Sequence, residues 1–338
     1  MKNLKFKGQN IPNMPWEDRP EGIKSPVWRY SQNPIIKRNP IDKISRIFNS
    51  AVIYDEGRYY GIFRAENHST LPKLHFGISP DGLNWQIESV PLELIDEAGR
   101  KNNLYYGYDP RLAKVEDKFY ITFCTDFYGP TIGLIETADF KTFVRRENVY
   151  IPFNRNGVLF PRRINGNYQI LSRPSDNGHT PFGDIFLSES PDLTYWGRHR
   201  HVMERGGTGW WQGLKIGAGP NPIETDIGWL LLYHGVTNTC NGYVYSMGGA
   251  VLDINQPSKV LYRSKYYLLT PELDYEVAGF VANVVFPCSA LLHQDGRMTI
   301  YYGAADTYTA LAFSRIDLIL DFIIENSERV GSDHEIGK

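Results

Sequence analysis

The sequence predicts an all-β chain folded as a five-bladed β-propeller with a C-terminal helical extension, and three observations carry that expectation. First, a short cassette recurs: an apolar strand, a turn built on Gly or Asp, then an aromatic-rich strand that ends in polar residues. Its copies are SAVIYDEGRYYGIFRAE (50–66), DPRLAKVEDKFYITFCTD (109–126), NGVLFPRRINGNYQILSRP (156–174), GPNPIETDIGWLLLYHG (219–235) and PCSALLHQDGRMTIYYGAAD (287–306). The turn residues Gly57, Asp117, Gly166, Gly228 and Gly296 are 49 to 68 residues apart, which leaves room for two further strands per copy. Second, LHFGISPDGLNW (74–85), TIGLIETADFKTF (131–143) and DIFLSESPDLTYW (184–196) supply those strands, each joining an alternating run to an Asp-containing turn and an aromatic. Each unit therefore reads as a four-stranded antiparallel blade. Third, aromatic residues make up 14% of the chain, 22 of them tyrosines, a composition suited to pleated sheets and to stacking against sugar rings. A sandwich gives no reason for one cassette to recur five times; a propeller does.

Taken in order, residues 1–40 read as an N-terminal arm and the blades follow. Ser314–Val330 reads as a closing strand running into a C-terminal helix, so that 1–338 forms one domain. With 338 residues, 42% hydrophobic and a net charge of −2, the chain can bury a core and has no basic excess for a nucleic-acid partner. Met1–Pro20 lacks the apolar core of a secretory signal, and no apolar run reaches membrane-spanning length, so a cytoplasmic protein without membrane contact is expected. The cysteines, Cys124, Cys240 and Cys288, are odd in number and far apart, so free and mostly buried thiols are expected. No His, Cys or carboxylate grouping has metal-ligand spacing, so no metal is expected. The stretch GLKIGAGPNP lacks the order of a nucleotide-binding loop.

In a propeller, equivalent cassette positions converge on one mouth of the central channel. Eight residues before each turn stand Asn49, Asp109, Val158, Pro220 and Cys288; seven after it stand Arg64, Cys124, Arg173, Gly235 and Gly303, with His234 and Asp306 alongside. Two arginines, two carboxylates, an asparagine and a histidine are thus expected to face one another. Inverting glycoside hydrolysis needs an acid and a base carboxylate. Phosphorolysis needs the acid alone, with cations to hold an already anionic nucleophile, and the planar fork of Arg suits phosphate. Cations beside an acid therefore point to phosphorolysis.

At YGYDPR (Tyr106–Arg111), NRNGVLFPRRING (Asn154–Gly166), SRPSDNGHTPFGDIFLSESPD (Ser172–Asp192) and KIGAGPNPIET with GWLLLYHGV (Lys215–Val236), the chain resembles glycoside hydrolase family 130, the inverting β-mannoside phosphorylases. The resemblance runs from IFNSAV (Ile47–Val52) to YYGAADT (Tyr301–Thr307) and implies a five-bladed propeller. It also implies that Asp109 is the general acid, delivering its proton through the 3-hydroxyl of the mannose being cleaved. Arg155, Arg173, Lys215 and His234 match the family's phosphate site; Asn49, Ser50, Arg64 and Asp306 match positions that grip the mannose. Tyr108, His179, Tyr243 and Phe286 match those that frame the acceptor sugar. The chain is most similar to the short phosphorylases of β-1,4-mannosyl-N-acetylglucosamine and β-1,4-mannooligosaccharides, which implies an oligosaccharide substrate, inorganic phosphate as co-substrate, no cofactor and a homo-oligomer. N-acetylglucosamine stands first among the expected acceptors, then mannose and glucose. A hydrolase of the same fold and a non-catalytic sugar-binding propeller remain as alternatives.

Overall fold

Each cassette closes as a hairpin on left-handed backbone. In the first, Asp55 pairs with Arg58 across Glu56 and Gly57, whose φ angles of 44° and 84° are the two positive values that a tight hairpin turn uses. The structure is a computed structural model that describes residues 4–175, 183–206 and 210–327. Its strands form five sheets, antiparallel apart from one short edge strand, with the inner strands neighbouring one another around the ring. Blade I comprises Ile44–Asp55, Arg58–Asn67, Pro72–Ser79 and Gln86–Ile87. Blade II comprises Tyr108–Val115, Lys118–Asp126, Pro130–Thr137 and Phe143–Arg145, with Leu94–Ile95 added in parallel at its outer edge. Blade III comprises Asn154–Leu159, Tyr168–Pro174, Ile185–Ser190 and Gly197–Met203. In blade IV the inner strand is broken into Lys215–Ala218 and Ile223–Thr225, both paired with Gly228–Thr239, and Gly242–Leu252 and Val260–Arg263 follow.

The recurring Asp turns lie between third and fourth strands. Asp81 Oδ1 accepts from the backbone N–H of Leu83 at 2.9 Å and Asn84 at 2.8 Å. Asp139 does the same for Lys141 and Thr142, and Asp192 for Thr194 and Tyr195. A short carboxylate that mimics a turn of backbone is why Asp recurs there. The aromatic that follows folds back, Trp85 Nε1 donating to Gly82 O and Trp196 Nε1 to Leu193 O.

Blade V comprises Val285–Leu292, Arg297–Ala304 and Tyr308–Arg315, and its outer strand is Val27–Arg29 from the other end of the chain. Part of the segment expected as an arm is therefore a structural strand that closes the ring. Trp28 is buried there, and Arg29 grips Glu276 with Nε to Oε1 at 2.8 Å and Nη2 to Oε2 at 2.9 Å. Glu276 is fully buried and also accepts from Tyr302 Oη at 2.8 Å and from the N–H groups of Glu272 and Leu273. The expected C-terminal helix spans Ile316–Glu325; Ile316, Ile319, Leu320 and Ile323, at helical spacing, pack on Met247, Val251 and Leu268 of the blade IV region and on Ile300 and Ala312 of blade V. Cys124 and Cys288 are buried free thiols and Cys240 is exposed. No helix among the described residues is long and apolar enough to cross a membrane.

Removing one partner of a buried ion pair leaves the other charge uncompensated. Arg29→Met is therefore expected to lower the unfolding free energy by about 3 kcal/mol. Urea denaturation should show this as a lower midpoint at unchanged slope, with the Arg29→Met/Glu276→Leu double variant recovering part of the loss.

Candidate active site

Four inner strands lose register at one level of the channel. The ladder shifts between Phe48 and Ala51 in blade I, Tyr108 and Arg111 in blade II, Arg155 and Val158 in blade III, and Pro287 and Ser289 in blade V. The residues freed in the first three bulges, Asn49, Asp109 and Asn156, have φ of 49°, 50° and 54°. Asn and Asp enter this left-handed region at the least cost among residues with a side chain. In blade IV the strand breaks over Gly219, Pro220, Asn221 and Pro222, where prolines remove ladder donors. The consequence is one cavity of about 340 Å³, walled by Asn49, Arg64, Tyr108, Asp109, Cys124, Arg155, Asn156, Arg173, Lys215, His234, Tyr243, Tyr245, Val281, Val284, Phe286 and Asp306.

One side of the cavity is acidic. Asp109 Oδ1 accepts from Asn49 Nδ2 at 2.9 Å and from Arg64 Nη1 at 2.8 Å, whereas Oδ2 has no hydrogen bond to the protein among the described residues. Arg64 is itself held by Glu66, with Nη2 to Oε1 at 2.6 Å; Glu66 is 2% exposed and also pairs with Arg46 at 2.5 Å. Burial pushes the Asp306 carboxyl up to about 6, with Arg64 opposing and Asp109 adding to the rise. Glycine is required behind Asn49, because a Cβ on Gly303 would stand 1.8 Å from Asn49 Oδ1.

The other side is cationic. Arg155 Nε donates to Tyr108 Oη at 3.2 Å and Nη1 to Ser175 O at 3.4 Å. Arg173, buried, donates from Nη1 to His234 Nε2 at 3.0 Å and has no partner at Nε. Lys215 Nζ lies 5.2 Å from the Tyr243 ring centre and 5.3 Å from that of Tyr245. No ion pair joins any of the three to a carboxylate among the described residues. Burial, reinforced by Arg173 and Arg155, brings Lys215 down to about 8. Burial, with Arg173, Arg111 and Lys215 nearby, holds His234 well below its usual value, so it is neutral. Since Arg173 only donates, His234 accepts at Nε2 and carries its proton on Nδ1. Three cations without an anion, beside unpaired donors, form a seat for a multiply charged anion.

Most residues expected from the sequence meet here: Asn49, Arg64, Tyr108, Asp109, Arg155, Arg173, Lys215, His234, Tyr243, Phe286 and Asp306. Ser50 stands just behind the wall, with its Oγ buried and unpartnered. His179 lies outside the described residues. Asn156 and Tyr245 were not expected. The offset of eight lands instead on Val158, a core residue, because the run from bulge to turn is longer in blade III, Val158 to Ile164, than in blade II, Arg111 to Val115. The pattern Asn-Gly at 156–157, an asparagine able to take positive φ before a glycine, was the available signal.

Residues 7–325 match the model of a family described as beta-1,4-mannooligosaccharide phosphorylase. A beta-1,4-mannooligosaccharide phosphorylase of Ruminococcus albus is 49% identical over 335 residues, covering 97% of this chain and 99% of that one. A beta-1,2-mannobiose phosphorylase of a Thermoanaerobacter species is 33% identical over 305 residues, 84% of this chain and 95% of the relative. Among solved structures, the beta-1,2-mannobiose phosphorylase of Listeria innocua in complex with beta-1,2-mannobiose superposes with a TM-score of 0.78 at 27% identity, covering 88% of this chain and 99% of that one. With its motifs, its five blades and its family match all in agreement, the chain belongs to glycoside hydrolase family 130.

Proposed function

We propose that the protein is an inverting phosphorylase of β-1,4-mannooligosaccharides, which transfers the terminal mannosyl group to inorganic phosphate and releases α-mannose 1-phosphate and the shortened acceptor. The observation that carries this reading is the facing of Asp109 by Arg155, Arg173 and Lys215 across one cavity. A hydrolase needs a base carboxylate to activate water; that side of the cavity holds cations instead.

In this mechanism Asn49 and Arg64 fix Oδ1 of Asp109, so its unpartnered Oδ2 carries the proton that reaches the leaving oxygen. Arg64 and Asp306 hold the mannose hydroxyls, and Tyr243 and Phe286 border the acceptor. Arg155, Arg173 and Lys215 neutralise phosphate and aim one oxygen at the anomeric carbon from the face opposite the leaving group, which gives inversion. The relatives' names support a mannose acceptor; N-acetylglucosamine is the finer alternative that the motifs bring.

The test is product analysis with β-1,4-mannobiose and with β-1,4-mannosyl-N-acetylglucosamine, each with and without phosphate. Phosphate-dependent α-mannose 1-phosphate is expected, and the relative rates rank the acceptors; free mannose formed without phosphate refutes the reading. Asp109→Asn is expected to lower turnover about 10²- to 10⁴-fold, measured as initial rate of sugar phosphate release. Arg173→Ala should act chiefly on the KM for phosphate, and an effect confined to the sugar's KM would contradict it. Lys215 is charged below its pKa, so kcat/KM for phosphate is expected to fall as pH rises through about 8, and Lys215→Arg should move that limb to higher pH.

A further inference from the structure

Beneath the cavity lies Arg111, 1% exposed and without an ion pair among the described residues. Its guanidinium collects backbone carbonyls instead. Nε donates to Gly219 O at 2.6 Å, and Nη1 to Pro110 O at 2.9 Å and to Asp109 O at 3.3 Å. It lies 5.3 Å from the Phe286 ring centre, and Nη2 has no partner. A buried cation without a counter-ion is costly, so its retention calls for a role.

The carbonyls it holds identify that role. Asp109 and Pro110 are the two bulged residues of blade II, and Gly219 begins the break in the inner strand of blade IV. One side chain thus ties together two of the places where the wall departs from regular sheet, one of which carries Asp109 at φ 50°. Pro110 fixes its own φ and offers no N–H, so the bulge is stiffened by a ring on one side and by the arginine fork on its carbonyls.

We infer that Arg111 is a positioning residue for the reaction, setting the backbone of Asp109 and through it the direction of Oδ2. This rests on the reading of Asp109 as proton donor. Lysine would keep the charge but, as a point donor, could not span carbonyls on two strands.

The test is Arg111→Lys in the full chain. It is expected to lower kcat for phosphorolysis ~10- to 100-fold, as small misplacements of a catalytic group do, while leaving the KM for phosphate within about twofold. In an Asp109→Asn background the same change is expected to cost nothing further, since residues acting through one group are not additive. Equal losses in both backgrounds overturn the inference and leave Asp109 as the acid. A raised KM for phosphate at unchanged kcat also overturns it, by making Arg111 part of the anion's field. Undiminished turnover in Asp109→Asn alone overturns the acid assignment itself. If the lysine variant does not melt cooperatively, Arg111→Gln replaces it; kcat retained in that variant refutes the positioning role.

Discussion

A regular β-strand shows its side chains alternately to two faces, and in a propeller blade both faces are packed against neighbouring blades. An inner strand that leaves that alternation turns further side chains towards the channel. The bulges at Asn49, Asp109 and Asn156 do this, and their positive φ angles are the local cost. That cost is borne by the surrounding sheet. Hydroxyls cross between blades at the same level, Thr122 Oγ1 reaching Gly157 O at 2.6 Å and Ser289 Oγ accepting from Val52 N–H at 2.7 Å. The site is therefore built on rigid strands, and its precision derives from the ring.

Charge is sorted around the ring. Carboxylates come from blades I, II and V; Glu66 and Asp109 share arginines through the Arg46–Glu66–Arg64–Asp109 chain, in which each of the two anions is answered by a cation, and Asp306 faces Arg64 from blade V. Blades III and IV bring cations with no such answer. The cavity is thus polarised from one wall to the other before any substrate enters, with a proton donor and an anion seat on opposite sides. Preorganisation of this kind does not have to be assembled during the reaction. The lowered pKa of Lys215 is the cost first of burying its charge and then of keeping like charges together.

Much of this was legible in the sequence, and the parts that were not have physical reasons. Repeat spacing finds Asn49 and Asp109 because blades I and II keep eight residues from bulge to turn, finds Arg64 and Arg173 because each stands seven residues after its turn, and finds His234 and Asp306 beside their expected positions. It misses Asn156, whose hairpin is longer, and Arg155 was reached only by family resemblance. The outer strand of blade V was invisible, since Val27–Arg29 is three residues long and pairs with a strand near the far end of the chain. The charge sorting was only half visible: composition gives cations and carboxylates, but which wall each occupies depends on the ring's order. Arg111 sits in the YDPR motif, yet no pattern reveals that its partners are carbonyls on two blades.

The pairing of Val27–Arg29 with Tyr308–Arg315 also sets a timetable for the newborn chain. A ribosome that has made blades I to IV has produced most of the cavity wall but neither Asp306 nor the partner of the early strand. That strand must wait, unpaired, through the synthesis of nearly the whole molecule, and the contact that ends the wait spans almost the full sequence. Catalytic competence in such a chain is not accumulated blade by blade. It arrives when the two ends meet, so a truncated product lacks a complete site however many blades it has folded.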